Sequence, residues 1–153
     1  MFKAIEAVNI DNDESNTTIF LAGGITSCPD WQAELIEKIR SKYGYLDITL
    51  LNPRRKNFPI HDPNASEEQI KWEYDHLKKS DIIIFWFSEG SLNPIVLYEL
   101  GMWGNSGTRK IIVGCDPNYQ RIQDVAIQTK LARPDITVLD SLDAIVDELR
   151  DLL

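Results

Sequence analysis

The chain is short of the residues that metal, thiol and imidazole chemistry draw on. Its two cysteines, Cys28 and Cys115, lie far apart and form no CxxC or Cys/His ligand pattern, which argues against a structural zinc site. Two free thiols fit a reducing, cytoplasmic compartment. With only His61 and His76, His-centred triads have little material. No apolar run approaches the ~18 residues of a membrane span, so no membrane partner is expected. Met1 to Asn16 carries acids and no apolar core segment, which argues against a signal peptide. Basic charge is scarce too: 16 Lys and Arg stand against 24 Asp and Glu, a formal charge of -8. That balance disfavours nucleic acid as a partner, because phosphate neutralisation needs clustered cations. The one basic cluster, Arg54-Arg55-Lys56, is too short to reverse it. Glycines form neither GxGxxG nor a P-loop. No serine-hydrolase elbow, zinc-deaminase signature or kinase loop is present.

What is there reads as one α/β domain over residues 1–153, a length that allows a real core. A polar stretch from Asp11 to Thr17 reads as a loop or hairpin tip after the segment Phe2 to Ile10. Strands are expected at Thr18–Ala22, Ile48–Leu51, Asp81–Phe87, Lys110–Gly114 and Asp135–Leu139. Between them, Pro29 at a first helical position opens a helix ending near Gly44, and Ser66-Glu67-Glu68-Gln69 reads as a capping box opening a helix through Lys79. Further helices are expected after Pro94, over Tyr119–Leu131 and from Ser141 to the C-terminus. Continuously apolar strands alternating with helices imply a parallel sheet covered on both faces. The expectation is a flavodoxin-like doubly wound five-stranded sheet, order 2-1-3-4-5, with ligands beyond the carboxyl ends of the strands.

One residue stands out. Glu99 is the single charge in Pro94-Ile95-Val96-Leu97-Tyr98-Glu99-Leu100-Gly101-Met102-Trp103. A carboxylate taken out of water without a partner costs several kcal/mol or shifts its pKa upward. Chemistry is the reading preferred here, with Glu99 as a nucleophile toward a sugar carbon; Tyr98 points elsewhere and is assigned to the core. The other candidates each carry a plain structural alternative. Gly23-Gly24 suits backbone approach to a phosphate or sugar, or a tight turn. Asn93 suits an N-cap before Pro94, a ligand contact, or both, and Ser91 adds a hydroxyl at the same mouth. Asp75 lies with Trp72, away from the wheel face of Ile70, Tyr74 and Leu77; periodicity makes it a surface acid, although Trp72 hints at a pocket wall. Arg54 and Arg55 are exposed loop charges by default, with phosphate or carboxylate contact as the alternative.

Three segments together resemble the nucleoside 2-deoxyribosyltransferase superfamily, in its nucleoside 2-deoxyribosyltransferase-like branch. They are Phe20-Leu21-Ala22-Gly23-Gly24-Ile25, Trp72-Glu73-Tyr74-Asp75-His76-Leu77-Lys78-Lys79-Ser80-Asp81 and Asn93-Pro94-Ile95-Val96-Leu97-Tyr98-Glu99-Leu100-Gly101. The resemblance implies that Glu99 attacks C1′ of a (deoxy)nucleoside and forms a glutamyl-sugar ester that a second base resolves. Asp75 falls where the family has an aspartate associated with base protonation. Gly23, Gly24, Ser91, Asn93 and Arg54 are the expected substrate contacts. Asp124 falls where the family donates a residue across a subunit interface, implying a homo-oligomer with a shared site. Nucleoside or nucleotide and free nucleobase would be the partners, with no cofactor and no metal. Two departures bear on substrate: Asn93 stands where well-studied transferases carry an aspartate, and no tyrosine accompanies Ala22-Gly23-Gly24. The glycine-rich turn would suit a 5′-phosphate. A 2′-deoxynucleoside 5′-monophosphate N-glycosidase is therefore the first alternative, followed by a non-catalytic nucleotide-binding module and an NAD glycohydrolase.

Overall fold

The computed structural model describes residues 1–10, 16–104 and 107–153. Most of the loop expected at Asp11 to Thr17 lies outside the described residues. Five strands, β1 (Lys3–Glu6), β2 (Thr17–Gly23), β3 (Ile48–Asn52), β4 (Ile82–Phe87) and β5 (Lys110–Cys115), form one sheet in the order β1-β3-β2-β4-β5. All four pairings are parallel. The helices are α1 (Trp31–Tyr43), α2 (Ala65–Lys79), α3 (Pro94–Gly104), α4 (Ile122–Ala132) and α5 (Leu142–Leu149).

The period-2 geometry of β4 explains why it is apolar throughout. Ile82, Ile84 and Trp86 pack on the α1/α5 side with Leu35, Ile39 and Ile145. Ile83, Phe85 and Phe87 pack on the opposite side with Trp72 of α2, Val96 of α3 and Val125 of α4. The sheet is thus sandwiched by two helices on one face and three on the other. Across the α1/α5 layer, Lys38 pairs with Asp143 at 2.7 Å, and Tyr43 donates to the Val146 carbonyl at 2.9 Å. Among the described residues no helix is long and apolar enough to cross a membrane.

The expected order 2-1-3-4-5 is overturned at the sheet's edges. The N-terminal segment, read only as chain preceding a loop, is an edge strand in register with β3 from Lys3↔Thr49 to Glu6↔Asn52. Its half-buried, mixed composition gives no period-2 signal. Conversely, the segment at 135–139 is not a strand, and only Leu139 makes a bridge, to Gly114. Proline precedes it, and Arg133 folds back to bind Asp135 at 3.0 and 2.8 Å. That contact holds Asp135 in a turn instead of a ladder.

Two helix starts also shift. Pro29, expected at the first helical position, precedes the helix: Asp30 caps α1, its carboxylate accepting from the Ala33 N–H at 3.1 Å. Ser66 lies inside α2, whose N-cap is Asn64, so no capping box forms. Tyr98, expected in the core, is 67% exposed.

Candidate active site

A cavity of about 330 Å³ opens at the carboxyl end of β2, beside the turn that leads from β4 into α3. Its floor is Phe20 and Ala22 of β2, its far wall is Val96 and Glu99 of α3, and its near wall includes Pro53, just after β3, and Glu73 of α2. Glu99 stands in the second turn of α3, partly buried. Burial, and secondarily the negative charge of Glu73, push its carboxyl up from an ordinary 4.5 to about 8. Glu73 is raised as well, chiefly by burial, and is partly offset by a hydrogen bond from Gln69. Two carboxyl groups from different helices therefore share one cavity, and the charge of Glu73 opposes ionisation of Glu99.

The turn entering α3 is built by Asn93. It takes φ +52°, and its carbonyl accepts from the Leu97 N–H at 3.1 Å. Its side-chain Nδ2 donates to the Ser88 and Ser91 carbonyls, both at 3.1 Å. Its Oδ1 accepts from Cys28 Sγ at 3.4 Å. Asn93 lines the cavity, yet both its amide atoms are already engaged in shaping the turn. Ser91 also lines it, with Oγ accepting from the Asn93 N–H at 3.3 Å. Gly23 and Gly24 form the rim by necessity. A Cβ on Gly24 would lie 1.7 Å from Asn93 Oδ1, and one on Gly23 would lie 2.2 Å from Trp31 Cζ2. The Trp31 indole N–H in turn donates to the Gly24 carbonyl at 3.0 Å.

The other sequence candidates lie elsewhere in the structure. Asp75 is on the exposed side of α2 and does not line the cavity. Glu73, two residues earlier, does, and it was not among the expected residues. The wheel face of Ile70, Tyr74 and Leu77 was the wrong reference: Ile70 and Tyr74 are 65% and 47% exposed, whereas Trp72 and Leu77 are buried. At 100° per residue, Glu73 falls within the arc between Trp72 and Leu77, and centring the wheel there would have found it. Arg54 lines a neighbouring groove, its Nη2 donating to the carbonyls of Ile25, Cys28 and Pro29 at 2.9, 3.2 and 3.0 Å. Asp124 pairs with Arg121 at 2.8 Å in a groove between α3 and α4.

A family model described as nucleoside 2-deoxyribosyltransferase like matches residues 16–119. The chain belongs to the nucleoside 2-deoxyribosyltransferase-like family. That match runs from the start of β2 to Tyr119, so it contains every wall of the cavity, including Glu73 and Glu99, and stops short of Asp124. Among solved structures, this family member is similar to a crystal structure titled as a conserved protein from Enterococcus faecalis V583. The TM-score is 0.67 at 19% identity, covering 91% of this chain and 100% of that one. Such a likeness establishes the shared fold. No curated protein matches the sequence.

Proposed function

We propose that this nucleoside 2-deoxyribosyltransferase-like protein cleaves the N-glycosidic bond of a (deoxy)nucleoside and transfers the sugar to another base. The observation that carries the reading is the convergence of Glu99 and Glu73 on one cavity at the carboxyl edge of the sheet. In the first half-reaction, ionised Glu99 attacks C1′ and an ester bond forms. The C1′–N bond breaks with its electron pair going to the departing base, which takes a proton from Glu73. In the second half, an incoming base attacks C1′, loses a proton to Glu73 and frees the Glu99 carboxylate. The two carboxyls hold one proton between them more readily than none; in the free protein burial favours it on Glu99, and the reaction runs from the form in which it has passed to Glu73, giving one nucleophile and one acid. Glu73 takes here the base-protonation role that the family resemblance implied for Asp75.

The test is chromatography of the purified protein with deoxyinosine plus free cytosine, beside Glu99→Ala. Deoxycytidine formed by wild type and lost in the variant is the expected result. Turnover retained by Glu99→Ala would sink the nucleophile assignment, and free base without deoxycytidine would make water the acceptor.

Pairing of two copies through the outer face of α2, α3 and α4 belongs to the same reading. Ile70, Tyr74, Ile95, Tyr98, Met102, Ile127 and Leu131 are all exposed there. The opposite helical layer carries ion pairs instead, such as Lys38–Asp143 and Lys42–Asp147. Large apolar patches of this kind mark association surfaces. Ile95 belongs both to that face and to the cavity wall, so a second copy would sit at the cavity mouth. Sedimentation should find a dimer that Tyr98→Lys weakens; a monomeric wild type would reject the pairing.

A further inference from the structure

Gln69 stands one helical turn before Glu73 on α2 and outside the cavity wall, yet its amide reaches two elements at once. Its Nε2 donates to the Pro53 carbonyl at 2.7 Å and to Glu73 Oε1 at 2.7 Å. The Pro53 carbonyl can only accept, so the NH₂ end of the amide must face it. That fixes which way the amide points, and its second N–H is delivered to Glu73 as a donor alone. Glu73 Oε1 is thereby held as an acceptor, which makes Oε2 the favoured seat for a proton on this carboxyl. Gln69 Oε1, meanwhile, is buried with no hydrogen-bond partner among the described residues, a cost that goes with this orientation of the amide.

We infer that Gln69 is a positioning residue that orients Glu73 so that Oε2 exchanges the proton with the leaving and incoming bases. The inference rests on the proposed glycosyl transfer. In the step it serves, the proton passes from Glu73 Oε2 to the base nitrogen as the C1′–N electron pair moves onto the base and Glu99 bonds to C1′. Reversal with the second base returns the proton to Oε2. The anchor at Pro53 matters because that residue directly follows β3. The carboxyl is thus referenced to the sheet carrying the cavity floor, and not only to its own helix.

A leaving group that needs no proton separates this role from a structural one. Deoxyinosine needs its base protonated on departure, whereas 7-methyl-deoxyinosine carries a cationic base that leaves neutral. In the full-length protein, Gln69→Met should lower kcat on deoxyinosine about ten- to a hundred-fold, the span expected for one hydrogen bond to an ionisable group. On the 7-methyl substrate the loss should be no more than about three-fold. Gln69→Ala, assayed identically, covers the case in which methionine packs badly, and thermal unfolding verifies that each variant is folded. Adding Gln69→Met to Glu73→Gln should cost little further, because residues acting as a unit are non-additive. Equal loss on both substrates, or no loss on either, overturns the inference while Glu99-dependent turnover by wild type stands. Absence of Glu99-dependent cleavage by wild type removes the reaction itself and this inference with it.

Discussion

Replacing Glu99 by glutamine should make the protein more stable, by an amount that depends on pH in a defined way. The Glu99 carboxyl is pushed from 4.5 to about 8 by its surroundings. Between those limits the folded chain holds a proton that the unfolded chain has released. Unfolding free energy therefore falls as pH rises, by about 1.4 kcal/mol per pH unit for this one group. The contribution is fully present below about pH 4.5, and it has gone once pH passes the folded value near 8. At pH 7 the accumulated loss is about 3 kcal/mol, and above pH 8 it approaches about 5 kcal/mol. Glutamine keeps the shape, carries no charge and has no such dependence. Glu99→Gln should match wild type near pH 4.5 and exceed it by about 3 kcal/mol at pH 7, roughly 6–12 °C in Tm for a domain of this size. Urea denaturation of both proteins at half-unit intervals from pH 4.5 to 8.5 measures the gap. A gap that stays constant with pH, or a destabilised variant at pH 7, would refute the argument, since either means that Glu99 ionises in the fold much as it does in water.

The same pair governs the rate profile. Attack by Glu99 with Glu73 as the acid requires the pair to hold one proton, so kcat/KM should fall as pH rises through about 8, and Glu73→Gln, which removes both the acid and the neighbouring charge, should replace that fall by a rise with a midpoint below 8 while slowing turnover. A profile unchanged by the substitution would show that Glu73 does not act on Glu99. Gly24→Ala should destabilise the protein by about 1–3 kcal/mol, because its Cβ would press on Asn93 Oδ1 at 1.7 Å and Cys28 Sγ at 2.6 Å. Urea midpoints unchanged from wild type would mean that the α3 turn yields more easily than its hydrogen bonds imply.

Glu99 was legible in the sequence because nothing else in its helix is charged, and a lone carboxylate among apolar neighbours has few reasons to exist. Glu73 was hidden by its company. Ile70 and Tyr74 are as apolar as Trp72 and Leu77, and periodicity alone does not say which pair meets the sheet and which meets solvent. The exposed pair belongs to the outer face of α2–α4, so the feature that suggests association is the one that misdirected the wheel. Tyr98 was misassigned to the core for the same reason. The central strands announced themselves through burial on both faces, as Ile82 to Phe87 illustrate. The edges did not, since β1 owes its place to backbone pairing with β3, and the segment at 135–139 has strand-like composition without the ladder. Asn93 shows a further limit: its side chain serves the turn through Ser88, Ser91 and Cys28, contacts that no local pattern encodes.

The grip of Arg54 on three successive stretches of carbonyl, at Ile25, Cys28 and Pro29, bears on how a ligand would meet this protein. The rim between β2 and α1 is fastened by a side chain from the loop after β3, so its ordering belongs to folding and not to encounter. A small molecule arriving at the cavity finds walls already standing, and little of its binding free energy is consumed in arranging them. Selectivity at this rim then comes from fit to a fixed outline: molecules are sorted on entry by shape.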